Sequence, residues 1–461
     1  MTAKRFWIRT FGCQMNEHDS ERLAGMFSEQ GMEPAGSAED ADLVVFNTCC
    51  VRENADNRFY GHLGDLKALK RRRPELQIAV GGCLAQKDRE LIQQRAGHVD
   101  VVFGTHNLAH AVDLLERARF EGPIMEILEE SETFPSALPA RRDIDHAAWV
   151  TIQIGCDNTC AFCIVPAVRG KEQSRRLGDI VREVEELAAD GVTEVTLLGQ
   201  NVNSYGRDLG AGQYRPRFAD LLRAVDAIPG IRRIRFTSPH PKDLRPETIA
   251  AMAECESVCE HLHLPLQAGS DRTLARMHRG YTARRYLERL EAARAAIPEL
   301  AVTTDLIVGF PGETEDDFAA TLEVVEEAGY DAAYTFVFSP RPGTEAAAWV
   351  DEFLPQEVTA ERMRRLTAVV EHSALARHES RVGKVEEVLV EGPSKKDAAM
   401  TTGRTRQNKL VHFRAPQSNG LRPGSFAEIS IDSAAPHFLR GTFVRKTADP
   451  GRRVRIPVTA S

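Results

Sequence analysis

The chain has 461 residues, 42% hydrophobic and 27% charged, with a formal net charge of -8. At roughly 150 residues per domain that is material for about three cores, which with this composition excludes a disulfide-stapled miniprotein and a disordered chain. No apolar run is long enough to span a bilayer, and charged residues interrupt the N-terminal MTAKRFWIRTFGC before a secretory core forms, so a cytoplasmic protein without membrane attachment is expected. Nine cysteines in a reducing compartment need a role other than disulfides, and their clustering points to metal.

In chain order, residues 5 to 119 alternate apolar runs (RFWIRTFG, ADLVVFNT, ELQIAVGG, VDVVFG) with amphipathic segments, the pattern of a parallel α/β sheet. We therefore read 1–120 as an α/β sheet domain. Residues 121–146, with Pro123, Pro135 and Pro139, lack periodicity and read as a linker. From 147 to 380 six apolar strands (WVTIQI, VTEVTLLG, IRRIRFTS, HLHLPLQ, AVTTDLIVGF, DAAYTFVFS) alternate with helical stretches, which predicts a (β/α) partial barrel. From 381 to 450 short strand-like runs separated by Gly and Pro predict a small antiparallel β-barrel, and 451–461 is a tail. The fold class is thus α/β with an added β-barrel. Charge is uneven: residues 381–461 carry 15 Lys and Arg against 7 Asp and Glu, a balance of +8, which leaves -16 on residues 1–380. A basic tail on an acidic body suits a polyanion such as RNA, and a solvated basic face is the competing reading.

GCDNTCAFC places Cys156, Cys160 and Cys163 in C-x3-C-x2-C spacing just after the strand WVTIQI. Three thiolates on one short loop can hold three irons of a cubane and leave the fourth open to a small molecule, whereas a structural zinc usually takes four ligands. Cys13, Cys49 and Cys83 each follow an apolar strand of the first domain. Strand exits of a parallel sheet are where loops converge on a site, so a second cluster is favoured over three packed thiols.

The words FGCQMN (11–16), NTCCVRENA (47–55), GGCLAQ (81–86), GCDNTCAFCIVPAVRGKEQSR (155–175), LLGQNVNSYG (197–206), HLPLQAGSD (263–271), VGFPGETE (308–315) and FSPRPGTEAA (338–347) resemble the methylthiotransferases of the radical S-adenosylmethionine superfamily. The resemblance covers nearly the whole chain: an N-terminal methylthiotransferase domain, a radical core and a C-terminal TRAM RNA-binding domain. QNVNSYG and RGKEQSR look like the branch acting on N6-dimethylallyladenosine in tRNA. It implies two [4Fe-4S] clusters and S-adenosylmethionine, with Cys156, Cys160 and Cys163 holding the radical-generating cluster and Cys13, Cys49 and Cys83 the auxiliary, sulfur-delivering one. It also implies a 5'-deoxyadenosyl radical, methylthiolation at adenine C2 of position 37, a tRNA anticodon loop as partner, an electron donor, and a monomer. An adenine C2–H is not acidic, so radical chemistry is the route open to it, and a base in a single-stranded loop is splayed out at modest cost. The alternatives are a methylthiotransferase for threonylcarbamoyladenosine or a ribosomal protein, or a non-catalytic iron-sulfur RNA-binding scaffold.

Further candidates each carry two readings. Phe162, before the last cysteine of the loop, lies near the cofactor's adenine in the family. Gln200 and Asn201 either hold the cofactor's amino-acid moiety or form a turn; Glu313 and Glu315 either contact cofactor or cap a helix. Arg169, Lys171, Arg175 and Arg176 either grip an anion or form a solvated charge run. His261 and His263 share a strand face and read as core or substrate contacts, while Cys50, Cys255 and Cys259 read as structural thiols. Arg404, Arg406 and Lys409, in GRTRQNKLVHF, are the candidate RNA contacts, with a basic turn as the alternative.

Overall fold

The structure is a computed structural model that describes residues 3–50, 53–130, 134, 138–210, 217–415 and 420–452, the side chains of 53–57 excepted. Most of the 451–461 tail lies outside the described residues. Two compact units emerge: Met1–Asp143 with Ile154–Asn158 and Ile164–Gln173, and Ile144–Gln153 with Thr159–Cys163 and Ser174–Ser461.

The first unit contains strands β1 (Arg5–Thr10), β2 (Glu33–Pro34), β3 (Leu43–Thr48), β4 (Gln77–Gly82), β5 (Val101–Phe103) and β6 (Ile124–Glu126). They form one sheet in the order β2-β1-β3-β4-β5-β6, every pairing parallel. Helices α1 (Gln14–Glu29), α2 (Glu53–Arg72), α3 (Cys83–Asp88), α4 (Glu90–Arg95) and α5 (Ala111–Glu121) connect them. LVVFNT and QIAVGG are buried at every position, because a parallel sheet is covered on both faces and its central strands read as continuous apolar runs. The expected linker 121–146 is not structureless: IME forms β6, an edge strand paired with β5. Three residues are too few to show a period.

The second unit has a six-stranded parallel frame. Strands β7 (Ala147–Thr151), β10 (Glu194–Leu198), β11 (Arg233–Phe236), β12 (His261–His263), β13 (Ala301–Val308) and β14 (Ala332–Val337) alternate with α7 (Leu177–Ala189), α8 (Phe218–Asp226), α9 (Pro246–Glu254), α10 (Asp271–Arg276), α11 (Ala283–Ala296) and α12 (Glu315–Ala328); the stretch between β7 and α7 carries the short strands β8 (Gln153–Ile154) and β9 (Gln173–Ser174) and the helix α6 (Val165–Arg169), which falls in the first unit. Two three-stranded sheets, β11-β10-β7 and β12-β13-β14, are joined by the bridge Ile234 to Val258, giving a partial barrel around one large core. After α13 (Gln356–Glu379), strands β15 (Val385–Pro393), β16 (Thr401–Thr405), β17 (Leu410–Arg414), β18 (Phe426–Ala435) and β19 (Phe438–Ala448) close a barrel. It is not wholly antiparallel as the sequence suggested: β17 and β19 pair in parallel, the one such pairing in its closure. Among the described residues no helix is long and apolar enough to cross a membrane.

Candidate active site

In the first unit, Cys13 is the N-cap of α1, Cys49 follows β3, and Cys83 opens α3 directly after β4. Cys49 and Cys83 are buried and Cys13 reaches solvent. A hydrogen bond with Cys49 lowers the Cys13 thiol to about 6 against the opposing cost of burial. Likewise, a hydrogen bond with Cys50 brings Cys83 to about 7 while pushing Cys50 up. Cys50 is therefore part of this thiol group, though buried among apolar side chains. Close approach is built in at Gly12 (φ +126), where a Cβ would collide with the Cβ and Sγ of Cys49. Asn16 and Asn47 brace the two loops: Asn16 Nδ2 donates to Asn47 Oδ1 at 3.2 Å and to the Thr48 carbonyl at 3.0 Å.

Arg169 belongs to the same unit and is buried, paired with Asp19 at 2.8 Å. Burial lowers its proton affinity, but the neighbouring Cys83, Asp19 and Cys13 more than offset that and push it up. Arg175 is paired as well, to Glu183 at 2.6 Å and the Thr151 carbonyl at 2.8 Å, so both guanidiniums rest on a carboxylate of the protein; Lys171 and Arg176 are exposed.

The loop GCDNTCAFC is held at both ends. Cys156 N–H donates to the Gly170 carbonyl at 3.1 Å, and Gly155 (φ +74) has the Lys171 carbonyl where a Cβ would be. In the second unit, Ala161 N–H donates to the Met277 carbonyl at 3.2 Å and Cys163 N–H to the Cys160 carbonyl at 3.0 Å. Arg279 Nη1 donates to Cys160 Sγ at 3.3 Å. Sequence reading missed Arg279, Asp19, Asn16 and Asn47; the asparagines stand in the quoted words FGCQMN and NTCC, and that proximity was the available signal.

Among the described residues no three His, Cys, Asp or Glu side chains close on a single metal ion, and His261 and His263 have protein partners. They contact Thr303 Oγ1, at 3.4 and 2.9 Å, and His263 also meets Asp305 at 3.3 Å. A cubane asks something different from a zinc, since its thiolates bind separate irons and stand apart. The donor chemistry is of that kind: cysteine sulfurs in both sets, with Cys13 hydrogen-bonded to Cys49 and Arg279 Nη1 on Cys160 Sγ.

Cofactor candidates divide. Phe162 is partly buried with its ring edge-on to Phe310 at 6.3 Å. Just beyond β10, Gln200 Oε1 and Asn201 Oδ1 are buried acceptors without a hydrogen-bond partner among the described residues, as is Gln153 Oε1. Unpaired buried acceptors cost about 1–3 kcal/mol each, and an ammonium group of a bound amino acid would satisfy them. Glu313 is a correction. Its side chain is 3% exposed, pairs with Arg362 at 2.6 Å and accepts from Gly309 N–H at 3.1 Å, so it fastens the VGFPGETE turn and has no oxygen left for a cofactor. Glu315 pairs with Arg365 at 2.6 Å, and the helix is capped instead by Thr314 with Asp317.

Comparisons with known proteins place these features. Residues 150–325 match the radical SAM superfamily, 5–104 the "Uncharacterized protein family UPF0004" and 379–444 the TRAM domain. A tRNA-2-methylthio-N(6)-dimethylallyladenosine synthase of Acidothermus cellulolyticus is 56% identical over 440 residues, covering 95% of this chain and 87% of its own. One of Salinispora arenicola is 53% identical, covering 98% and 93%. The chain belongs to this synthase family. In fold, its membership of the radical SAM superfamily is echoed by a radical S-adenosylmethionine methyltransferase, TsrM from Kitasatospora setae, with a TM-score of 0.56 at 14% identity over 75% of this chain and 77% of that one.

In the TRAM barrel the three basic side chains of GRTRQNKL have protein partners. Lys409 is 4% exposed and paired with Asp331 at 2.6 Å. Arg406 pairs with Glu260 at 2.8 Å and donates to the carbonyls of Glu256 and Val258; Arg404 pairs with Glu391 at 2.9 Å. From β11, Arg233 donates to the Arg404 carbonyl at 2.7 Å and Arg235 to those of Thr405 and Arg406 at 2.9 Å. Glu260 and Asp331 immediately precede β12 and β14, so this turn docks the small barrel against the starting ends of the larger barrel's strands. On the outer face of β17 and β19, by contrast, exposed Arg414 and Arg440 have no carboxylate partner among the described residues. His412 lies beside Arg440 in register, its ring 5.2 Å from that of Phe438, and Lys396 is near enough to hold its proton affinity down after burial and Arg440.

Proposed function

We propose that this chain converts N6-dimethylallyladenosine at position 37 of tRNA into its 2-methylthio derivative. The observation that carries the reading is the pair of cysteine sets, each at strand exits of its own sheet and each beside a buried guanidinium. The relatives' names support the substrate. Cys156, Cys160 and Cys163 would hold one [4Fe-4S] cluster, and Cys13, Cys49 and Cys83 the other. When bound, the clusters and S-adenosylmethionine supply a carbon-centred radical and the sulfur. The chain's own residues bind and orient: Gln200 offers its unpaired acceptor to the cofactor's ammonium, Phe162 a ring to its adenine, and the apolar packing around Cys50 and Cys83 excludes water from the sulfur site. Arg414, Arg440 and Lys396, with Phe438 for stacking, would grip the RNA backbone and an unpaired base. We read the protein as a cytoplasmic monomer fed by a separate electron donor, with domain limits near 120, 146, 380 and 450.

Anaerobic reconstitution tests the ligand assignment. About eight irons per chain are expected, falling to about four when Cys13, Cys49 and Cys83 are replaced together. Saturation at four irons in the unmodified chain, unchanged by that replacement, would contradict it.

A further inference from the structure

Arg279 follows α10 in a turn containing His278 (φ +57) and Gly280 (φ +69), and it is 6% exposed. Its Nη1 donates to Cys160 Sγ at 3.3 Å, Nε to the Tyr281 hydroxyl at 3.2 Å and Nη2 to the Pro265 carbonyl at 3.5 Å. Among the described residues no carboxylate lies within ion-pair distance of it. Other buried arginines differ in this respect: Arg169 has Asp19, Arg175 has Glu183, Arg235 has Glu194, Arg362 has Glu313 and Arg381 has Glu386. An unpaired buried charge is among the costliest features a fold can carry. Tyr281 donates its own proton to the Leu266 carbonyl at 2.8 Å and so offers only a neutral dipole. Of the groups touching the guanidinium, the sulfur of Cys160 is the one that would carry negative charge, as a thiolate ligand of a cluster.

We infer that Arg279 is the built-in counter-ion of the cluster held by Cys156, Cys160 and Cys163, and that it raises the potential at which that cluster takes up an electron. The inference rests on the ligand assignment proposed above. One-electron reduction adds a negative charge to the cluster, with no bond formed or broken. A fixed positive charge hydrogen-bonded to a ligand sulfur stabilises the reduced state more than the oxidised one. Arg279 acts through Cys160 and touches neither substrate nor radical, so it is a positioning residue whose signature is a redox midpoint.

The test uses the full chain carrying Cys13→Ala, Cys49→Ala and Cys83→Ala, which leaves a single site. After anaerobic reconstitution the cluster is titrated against poised mediators and followed by its visible absorbance and its electron paramagnetic resonance. Arg279→Gln should keep about four irons yet lower the reduced-to-oxidised ratio at a fixed potential about tenfold, equivalent to about 59 mV for a one-electron couple. Arg279→Lys, which keeps the charge, should shift less, and Tyr281→Phe should not shift. S-adenosylmethionine cleavage by Arg279→Gln should recover with a lower-potential reductant, which a misfolded site would not do. Coincident midpoints for Arg279→Gln and its parent, both at four irons, overturn this inference alone. A parent that takes up no iron overturns the ligand assignment and this inference with it. Where Arg279→Gln holds no iron, retention in Arg279→Lys supports the counter-ion, and loss in both marks a packing role and overturns it.

Discussion

Around Cys13, Cys49 and Cys83 the buried guanidinium of Arg169 is already neutralised by Asp19 at 2.8 Å. Around Cys160 the guanidinium of Arg279 has a sulfur, a tyrosine hydroxyl and a carbonyl, and no carboxylate among the described residues. The first site is therefore self-balanced, and its thiols cluster in the pairs Cys13 with Cys49 and Cys50 with Cys83. At the second the guanidinium has no such carboxylate, which on the proposed ligand assignment matches it to a cluster that takes up an electron. The two thiol sites thus differ by the presence or absence of one acid beside the arginine.

The sharpest way to break this contrast is to remove the ligands themselves. Cys156→Ala, Cys160→Ala or Cys163→Ala should abolish both S-adenosylmethionine cleavage and methylthiolation. Cys13→Ala, Cys49→Ala or Cys83→Ala should abolish methylthiolation and leave cleavage intact, read by chromatography of 5'-deoxyadenosine. Loss of cleavage in the second group would erase the division of labour.

Next in size, Asp19→Asn makes the first site resemble the second by leaving the buried Arg169 without its carboxylate. Breaking a buried pair from one side costs about 3–5 kcal/mol, measured by denaturant unfolding, and Asp19→Asn with Arg169→Gln should recover part of that loss. Lys409→Met strands the buried Asp331 in the same way. It should cost a similar amount while leaving the salt dependence of tRNA binding unchanged, because Lys409 contacts protein.

A smaller effect separates the docking turn of the C-terminal barrel from its outer face. Arg414→Ala or Arg440→Ala should each lower the log-log salt slope of tRNA binding by roughly 0.7–0.9, the release of one phosphate contact's counterions. Unaltered slopes would move the RNA contact elsewhere. The smallest change is expected for Cys50→Ala: iron content stays near eight, and stability falls by about 1 kcal/mol for one buried group of modest size.

The parallel sheet, the six-stranded partial barrel and the terminal β-barrel were legible because each strand carries its own apolar run, and the C-x3-C-x2-C loop because its three cysteines fall within eight residues. What sequence hid was partnership. Nothing local in GRTRQNKL says that Arg406 meets Glu260, 146 residues away, or that Lys409 meets Asp331. A basic run looks alike whether it faces phosphate or buried carboxylate. Glu313 misled in the same way, since its partner Arg362 lies on a different helix. Arg279 gave no signal at all, because an unpaired charge is defined by what is missing around it in space.

The most direct test of the account supplies tRNA containing N6-dimethylallyladenosine to the anaerobically reconstituted chain with S-adenosylmethionine, a reductant and sulfide, and digests the product for nucleoside mass spectrometry. The account predicts that the dimethylallyladenosine signal is replaced by its 2-methylthio derivative, and that the chain with Cys13, Cys49 and Cys83 replaced leaves the nucleoside unmodified while still producing 5'-deoxyadenosine. Unmodified nucleoside from a chain that carries eight irons and cleaves S-adenosylmethionine would contradict it.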